Sequence, residues 1–175
     1  MKLVEFSPNT LAGSFTEDLV ISKLWLIKEV EKIHKKFNTI YVLGSWYGNL
    51  SLFLLHKHIQ FKKIINVDID KKSLVTGQKL AKRLGVADKI DLMIKDANTL
   101  DYRQAVSPSL VINTSCNDMD NTGWFDNIPK GTLVALQTRD DTLDEYDFSK
   151  VLYQGKRDLT DPETNYTRHM VIGIK

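Results

Sequence analysis

The sequence predicts a doubly wound α/β fold, in which a mostly parallel sheet carries an N-terminal helix and ends in a C-terminal antiparallel strand pair. Apolar runs of strand length alternate with helical segments of about 10–15 residues, which is the pattern of successive βαβ units. The runs IINVDI (64–69) and SLVIN (109–113) are largely apolar, as expected for strands that are covered on both faces. The last two strand-like segments lie close together in sequence and both alternate apolar with polar residues, which predicts the antiparallel pair.

The composition indicates one globular domain spanning residues 1–175. Its 42% hydrophobic and 26% charged residues are ordinary for such a domain, and 175 residues are enough to bury a sizeable core. The sequence shows no signal peptide and no run long enough to cross a bilayer, and Cys116 is the single cysteine. These features predict a cytoplasmic protein without disulfides or membrane association. A net charge of +2 leaves nucleic-acid binding open without indicating it.

The first predicted element is a helix over residues 14–37, an N-terminal extension placed to act as a lid. Ser14 and Glu17 have the spacing of a capping box. An apolar stripe at helical period predicts the buried face, which consists of Leu19, Val20, Leu24, Ile27, Val30 and Ile33. The opposite face is predicted to be solvated, and it carries Glu29, Glu31, Lys32, Lys35 and Lys36.

The remaining elements alternate along the chain. Strands are predicted over residues 39–43, 63–69, 89–94, 110–113 and 131–138, with the closing pair over 151–156 and 166–174. Helices are predicted over residues 48–58 and 71–84, with a short helix or turn over 97–105 and a brief segment near Trp124. Gly85 directly follows the second helix of this series and is predicted to end it.

Candidate ligand-binding residues follow the predicted strands, because ligands in such a sheet bind beyond the carboxyl ends of the strands. The turn Gly44-Ser45-Trp46-Tyr47-Gly48 follows the first strand, and its two glycines suit a sharp turn that leads into a helix N-terminus. Asp68 ends the second strand 20 residues after Gly48, where a carboxylate that binds a ribose diol is expected. Asp70 is better placed than Asp68 to cap the helix that begins at residue 71.

The order of these motifs resembles that of the class I, seven-stranded S-adenosylmethionine-dependent methyltransferases, from about residue 38 to the C-terminus. VLGSWYG lies where the family's DxGxGxG loop falls, and INVDID where its ribose-binding acid lies. IKDANTL resembles the motif that contacts adenine, and LVINTSCND the fourth-strand motif beside the methyl group. GSWYG, VDID, NTSC, PKGTLVALQ and YTRHMVIG together resemble a bacterial and phage-type subgroup of small methyltransferase-like proteins.

The resemblance implies a Rossmann-like methyltransferase fold that binds S-adenosylmethionine and transfers its methyl group. The cofactor-binding residues that it implies are Gly44, Ser45, Trp46, Tyr47, Gly48, Asp68, Ile69, Asp96, Ala97, Asn113 and Thr114. Asp68 would bind the ribose, and Asp96 with the Ala97 amide would bind adenine, although Asp96 is also placed to cap the segment after it. Asn113 and Asp118 are the candidate catalytic residues, with Asp118 as a general base for the acceptor.

Two positions depart from the family's glycine loop. Val42 stands where an acid is common, and Trp46 stands where the middle glycine lies. Both positions bear on how the methionine end of the cofactor is held, since an aromatic face attracts a sulfonium but its bulk can also block the ligand. Cys116 is interpreted as a small buried residue rather than a nucleophile, and no metal site is expected.

Several functions remain open at this point. The same cofactor also supports transfer of its aminocarboxypropyl arm, and the fold also supports a non-catalytic binding module or a nicotinamide-dependent oxidoreductase. The adenine-reading end that IKDANTL provides to the third strand disfavours the oxidoreductase. The sequence leaves the acceptor open between a small molecule and a macromolecule, and it is compatible with a homo-oligomer.

Overall fold

The computed structural model describes residues 10–102, 107–119, 123–160 and 164–175. Seven strands form one sheet: β1 (Lys36–Leu43), β2 (Gln60–Asp68), β3 (Ile90–Ile94), β4 (Ser109–Asn113), β5 (Leu133–Thr138), β6 (Lys150–Thr160) and β7 (Asn165–Ile174). Four α-helices accompany the strands in these ranges: α1 (Glu17–Ile33), α2 (Asn49–Leu55), α3 (Lys71–Arg83) and α4 (Gly123–Asp126). None of these helices is both long and apolar enough to span a membrane.

The sheet has the strand order β3-β2-β1-β4-β5-β7-β6. Strands β1 to β5 pair in parallel, and β7 runs antiparallel to both β5 and β6, so the predicted closing pair is confirmed. The chain moves outwards from β1 to β2 and β3, and then crosses back to place β4 beside β1. The carboxyl ends of β1 and β4 therefore form the point at which the strand order reverses, where a ligand cleft is expected.

The sheet buries both of its faces, as the apolar strand runs predict. Ile40 and Val42 of β1 pack on the face covered by α1 and α2, whereas Tyr41 and Leu43 pack on the opposite face. This division follows from the two-residue period of a strand, which points successive side chains to opposite sides. Trp124, which is fully buried, anchors the core of the second face.

The start and the end of α1 differ from the prediction. The proposed capping box is wrong, because Ser14 lies in a 3-10 turn at Gly13–Phe15 and its hydroxyl donates to the Leu11 carbonyl. The helix ends at Ile33, and β1 already begins at Lys36.

The predicted solvated face of α1 also needs correction. Glu29 is only 8% exposed, and its carboxylate pairs at 2.6 Å with the ammonium of Lys32 one turn later. The buried face includes Trp25 and Leu26, which the predicted apolar stripe missed. A helix that lies across a sheet buries a wider arc than one stripe, and the extra residues fall within that arc.

The connections on the second face are short. The segment predicted as a short helix or turn over 97–105 begins as a single 3-10 turn at Ala97–Thr99, and its residues 103–106 lie outside the described part of the chain. Short 3-10 turns and the four-residue α4 otherwise cover this face in the described ranges. Gly85 has φ +71° after α3, which confirms it as the end of that helix.

Candidate functional site

The turn after β1 adopts a conformation that its two glycines make possible. Gly44 has φ +57° and Gly48 has φ +74°, a left-handed region that other residues enter at a cost. A methyl group on Gly44 would lie 2.8 Å from the Ser115 Cβ, and one on Gly48 would lie 2.6 Å from the Asn66 amide nitrogen. Both glycines are thus required for conformation and for close packing at the reversal point of the sheet.

Trp46, between them, is the one described residue other than glycine with a positive φ, at +50°. A left-handed conformation costs an L-residue roughly 1–2 kcal/mol, so the middle of this turn still has the geometry of a glycine position. The Trp46 amide donates to the Asp68 Oδ2 at 2.7 Å, and this charge-assisted hydrogen bond offsets the strain. The carboxylate at the end of β2 therefore holds the turn after β1 directly.

Asp68 is half-buried and is the last residue of β2, as predicted. Its Oδ1 accepts from the Asp70 amide at 2.9 Å. A carboxylate has about four acceptor positions, so two backbone donors leave it able to accept from a ligand diol as well.

Asp70 performs the capping role that the sequence assigned to it instead of Asp68. Its carboxylate accepts from the Lys72 amide at 2.9 Å and from the Ser73 hydroxyl at the start of α3. The hydrogen bond from Ser73, with those from the two backbone amides, lowers the pKa of Asp70. Asp70 thus stabilises the helix, and Asp68 faces the cleft.

Asp96 and Ala97 lie beyond β3, where Asp96 has the capping role that was the alternative to ligand binding. Its Oδ1 accepts from the Asn98 amide at 2.9 Å, which starts the 3-10 turn. Asp96 is exposed and also lines the cleft, beside the buried Ala97. Ile69, which is 75% exposed, adds an apolar edge between β2 and β3.

The structure does not bring the Asn113 side chain into the cleft. Asn113 is fully buried, its Oδ1 accepts from the Ser115 amide at 2.8 Å, and its Nδ2 donates to the Met119 sulfur at 3.1 Å. Thr114, Ser115 and Met119 do line the cleft. Asn113 therefore positions the residues after β4 and does not itself face a ligand.

Asp118 and Cys116 differ in access. Asp118 is exposed and lines the cleft at the end of a 3-10 turn, which keeps it available as the predicted general base. Cys116 is 8% exposed, and burial raises the pKa of its thiol to about 12. The interpretation of Cys116 as a small buried residue is confirmed.

Within the described ranges, no three His, Cys, Asp or Glu side chains are grouped as metal ligands.

These residues surround a cleft of about 810 Å³ at the carboxyl edge of the sheet. Three polar atoms in its wall are buried without a hydrogen-bond partner among the described residues: the Ser45 Oγ and the Asn49 Oδ1 beside the glycine turn, and the Arg168 Nε in β7. A buried polar atom without a partner costs free energy, and a polar ligand in the cleft would remove that cost. The residues present thus fit a nucleoside with an amino-acid arm, with the diol at Asp68 and polar groups beside Ser45 and Asn49.

The cleft has a second wall that the sequence analysis missed. Its residues come from α1, β5 and β7, and they are Leu19, Ser22, Lys23, Gln137, Arg139 and Arg168. The Ser22 hydroxyl donates to the Gln137 side chain at 2.9 Å, and the Gln137 amide donates back to the Ser22 carbonyl at 3.1 Å, which joins α1 to β5. Arg168 lies two and four residues before the buried Met170 and Ile172 in the same strand, so all three side chains point to the same face. This alternation is the sequence feature that could have predicted that Arg168 points inwards.

No family model matches the chain, and no curated protein matches it. Solved structures do share its fold. One is a candidate RNA methyltransferase from Pyrococcus horikoshii, 14% identical, with a TM-score of 0.70 over 91% of this chain and 86% of the other.

Two further matches carry S-adenosylhomocysteine in their crystals. The N-methyltransferase NodS from Bradyrhizobium japonicum is 9% identical, with a TM-score of 0.68 over 95% of this chain and 93% of the other. An RNA methyltransferase from Salinibacter ruber is 20% identical, with a TM-score of 0.57 over 86% and 90%. At these identities the likeness shows the fold, so the chain has the Rossmann-like methyltransferase fold that its motifs predict.

Proposed function

We propose that the protein is an S-adenosylmethionine-dependent methyltransferase. The observation that carries the proposal is the hydrogen bond between the Trp46 amide and the Asp68 carboxylate. It joins the glycine turn after β1 to the acid that ends β2, at the reversal point of the sheet. Nucleosides bind at this point in doubly wound sheets because a diol-binding acid and a close backbone approach coincide there.

Each wall of the cleft has a role in this proposal. Asp68 accepts from the ribose diol, and Asp96 with the Ala97 amide reads the adenine edge. Ser45 and Asn49 provide the buried partners for the amino-acid arm. Asn113 acts indirectly, because its side chain bonds to Ser115 and Met119 and so positions them in the cleft wall.

When bound, S-adenosylmethionine would supply an electrophilic methyl group on a sulfonium, which an acceptor's lone pair could take up with release of the neutral thioether. The protein contributes mainly orientation of the two reactants and exclusion of water, which can lower a bimolecular barrier by about 7–11 kcal/mol. Asp118 takes a proton from an acceptor that must lose one. A nucleophilic side chain is not needed, which is consistent with the burial of Cys116.

A second candidate is a non-methylating protein that binds the same cofactor, which includes transfer of the aminocarboxypropyl arm. The left-handed Trp46 at the middle of the turn favours it, because this side chain occupies the region where the methionine end would pass.

We also propose that this chain belongs to the bacterial and phage-type subgroup that its motifs resemble. That subgroup specifies no acceptor.

The proposal is tested by calorimetric titration with S-adenosylhomocysteine, S-adenosylmethionine and NAD. The first two are expected to bind at micromolar concentration and NAD is not. Asp68→Asn removes the negative charge that strengthens the two hydrogen bonds from the ribose diol. Each loses about 1 kcal/mol, so S-adenosylhomocysteine should bind about 30-fold more weakly. Asp70→Asn is the matched control, because Asn also caps a helix and Asp70 lies outside the cleft wall.

The outcomes separate the candidates. Failure of both sulfur nucleosides to bind would reject the proposal, as would equal losses in the two Asn variants. Binding without transfer of a labelled methyl group into small-molecule, RNA or protein fractions would favour the non-methylating candidate.

A further inference from the structure

Three cationic side chains lie together in the second wall of the cleft. Lys23 comes from α1, Arg139 follows β5, and Arg168 lies in β7. We call this group the basic end of the cleft. Arg139 and Arg168 are distant in sequence from the glycine turn. In the proposed function, none of the three residues binds the nucleoside.

Arg168 is the most deeply placed of the three. It is 6% exposed, and its Nε is buried without a hydrogen-bond partner among the described residues. A guanidinium carries five N–H donors in a fixed plane, which match the oxygens of a carboxylate or phosphate. A buried donor without a partner, in the wall of a cleft, indicates that a ligand supplies the acceptor.

A buried carboxylate lies close to the basic end. Asp18 is 3% exposed, and its Oδ2 accepts from the Tyr166 hydroxyl at 2.7 Å. Asp18 does not line the cleft. Burial, and then the charge of Arg168, lower the pKa of Lys23 to about 8, whereas Asp18 opposes that shift. Among the described residues that line the cleft, four are basic (Lys23, Lys95, Arg139 and Arg168) and three are acidic (Asp68, Asp96 and Asp118), so positive charge exceeds negative charge by one.

Tyr166 holds the two arginines at this position. The Arg139 guanidinium lies 4.0 Å from the centre of the Tyr166 ring, and the Arg168 guanidinium lies 5.6 Å from it. These contacts restrain both long side chains, and a hydrogen bond with Tyr166 also favours the charged form of Arg168. Arg139 is exposed and Arg168 is buried, so Tyr166 links an accessible guanidinium to one in the interior of the cleft wall.

The basic end lies apart from the diol-binding end. In the sheet, β1 and β4 separate β2, which carries Asp68, from β5, which precedes Arg139. Three strand spacings correspond to about 14 Å. The acidic residues Asp68 and Asp96 thus lie on one side of the glycine turn, and the basic end lies on the other.

We propose that the basic end binds the anionic group of the methyl acceptor, and that the acceptor is a small molecule bearing a carboxylate or a phosphate. This inference rests on the proposed function. A small molecule is favoured over nucleic acid because the buried Arg168 is out of reach of a polymer backbone. The net charge of +2 is also small for a protein that binds nucleic acid through its phosphates.

The experiment begins with S-adenosylhomocysteine titrations, which test the proposed function separately. Protein saturated with S-adenosylhomocysteine is then titrated with sodium acetate and with inorganic phosphate at constant ionic strength. One of the two anions is expected to bind at millimolar concentration. Arg168→Gln and Lys23→Gln are each expected to weaken that binding at least fivefold, while the affinity for S-adenosylhomocysteine stays within twofold of the original.

Arg157→Gln is the matched control. Arg157 pairs in register with Arg168 across β6 and β7, carries the same charge and lies outside the cleft wall. It is expected to leave both anion binding and nucleoside binding unchanged. Thermal unfolding of each variant checks that the protein remains folded, and Lys23→Gln keeps the test valid if loss of the buried Arg168 prevents folding.

Three results would overturn the inference while leaving the proposed function intact. One is nucleoside binding without any anion binding. Another is a loss of affinity for S-adenosylhomocysteine but not for methylthioadenosine in the two variants, which would assign the basic end to the cofactor's own carboxylate. The third is tight binding of an RNA oligonucleotide with a steep salt dependence that both variants abolish.

Discussion

At the scale of the residue, Trp46 is the most unusual position in the cleft. Its backbone is left-handed, its amide is held by Asp68, and its half-buried ring lies 4.8 Å from the ring of Tyr47. The structure keeps a glycine-type turn and adds an aromatic side chain to the cleft wall. We expect this ring to distinguish a positively charged sulfonium from a neutral thioether.

Substitution of Trp46 by Leu tests that expectation. An aromatic face stabilises a cation by about 0.5–2 kcal/mol, so Trp46→Leu should weaken S-adenosylmethionine relative to S-adenosylhomocysteine by roughly 2- to 30-fold. Calorimetric titration with both ligands measures the ratio, and Trp46→Phe, which keeps an aromatic face, is the control. Equal losses for the two ligands would show that Trp46 contributes packing alone.

Lys23 provides a pH-dependent prediction. Its pKa is lowered to about 8 by burial and by Arg168, against the opposing effect of Asp18. Arg168 and Arg139 both contact the ring of Tyr166. Because the pKa is lower in the folded state than the ordinary value of 10.5, the folded protein binds fewer protons between about pH 8 and pH 10.5. The free energy of unfolding should therefore gain a contribution as the pH rises through this window.

Urea denaturation at pH 7 and pH 9.5 measures this contribution as a difference between the original protein and Lys23→Met. The variant should be the more stable at pH 7, and its advantage should shrink by about 2 kcal/mol at pH 9.5. Lys28→Met, in an exposed position of the same helix, controls for loss of a lysine. An advantage that stays constant between the two pH values would contradict the assignment.

At the scale of the element, the cleft depends on close contacts between helices and loops. Helix α1 is joined to β5 by Ser22 and Gln137, and to β7 by Asp18 and Tyr166. Helix α3 approaches the glycine turn so closely that a methyl group on Gly77 would lie 2.2 Å from the Tyr47 carbonyl oxygen. The position of α3 thus determines the position of the turn.

Gly77→Ala should therefore displace the glycine turn, although Gly77 lies in α3, which does not line the cleft. Overpacking against backbone costs about 1–3 kcal/mol, which exceeds the gain of about 1 kcal/mol in helix propensity. The urea midpoint and the affinity for S-adenosylhomocysteine should both fall. Gly131→Ala is the control, because its added methyl group meets nothing within 4 Å, although its φ of +84° adds some strain. A variant more stable than the original would show that the turn can move away from α3.

At the scale of the whole molecule, the cleft collects charges of both signs from both sides of the sheet. Asp68, Lys95 and Asp96 lie on the side of β2 and β3, and Lys23, Arg139 and Arg168 lie on the side of β5 and β7. The net charge of +2 does not reveal this concentration of charges, because opposite charges compensate in the sum. Both ends depend on the central strands, which are buried on both faces.

The reactivity of the Cys116 thiol measures whether the central strands remain folded. It is 8% exposed beside β4, and burial raises its pKa from an ordinary value of 9.0 to about 12, which lowers its thiolate fraction about a thousandfold. Iodoacetamide at pH 8 should therefore label the folded protein very slowly. Mass spectrometry across a urea series should give a labelling midpoint that coincides with the midpoint of tryptophan fluorescence. Rapid labelling without urea would indicate local opening after β4.

Much of the fold could be predicted because its signals are local. Gly85 ends α3 and Asp70 caps it, since each acts on backbone within a few residues. Asp68 ends β2 because the apolar run ends there. The proposed capping box at Ser14 failed because a 3-10 turn precedes α1, and that turn is packed through the hydrogen bonds from the Asn49 amide.

The sequence by itself determined the α/β class, the parallel sheet with its antiparallel end, and the glycine turn and acid at the ends of β1 and β2, because hydrophobic period and spacing act along the chain. Only the tertiary structure decided that Asn113 turns away from the cleft and that Arg168 turns into it. Ser22 meets Gln137 and Asp18 meets Tyr166 across more than a hundred residues, and no local pattern encodes such a meeting. The basic end exists because β7 inserts between β5 and β6 and places Arg168 beneath α1, beside Lys23.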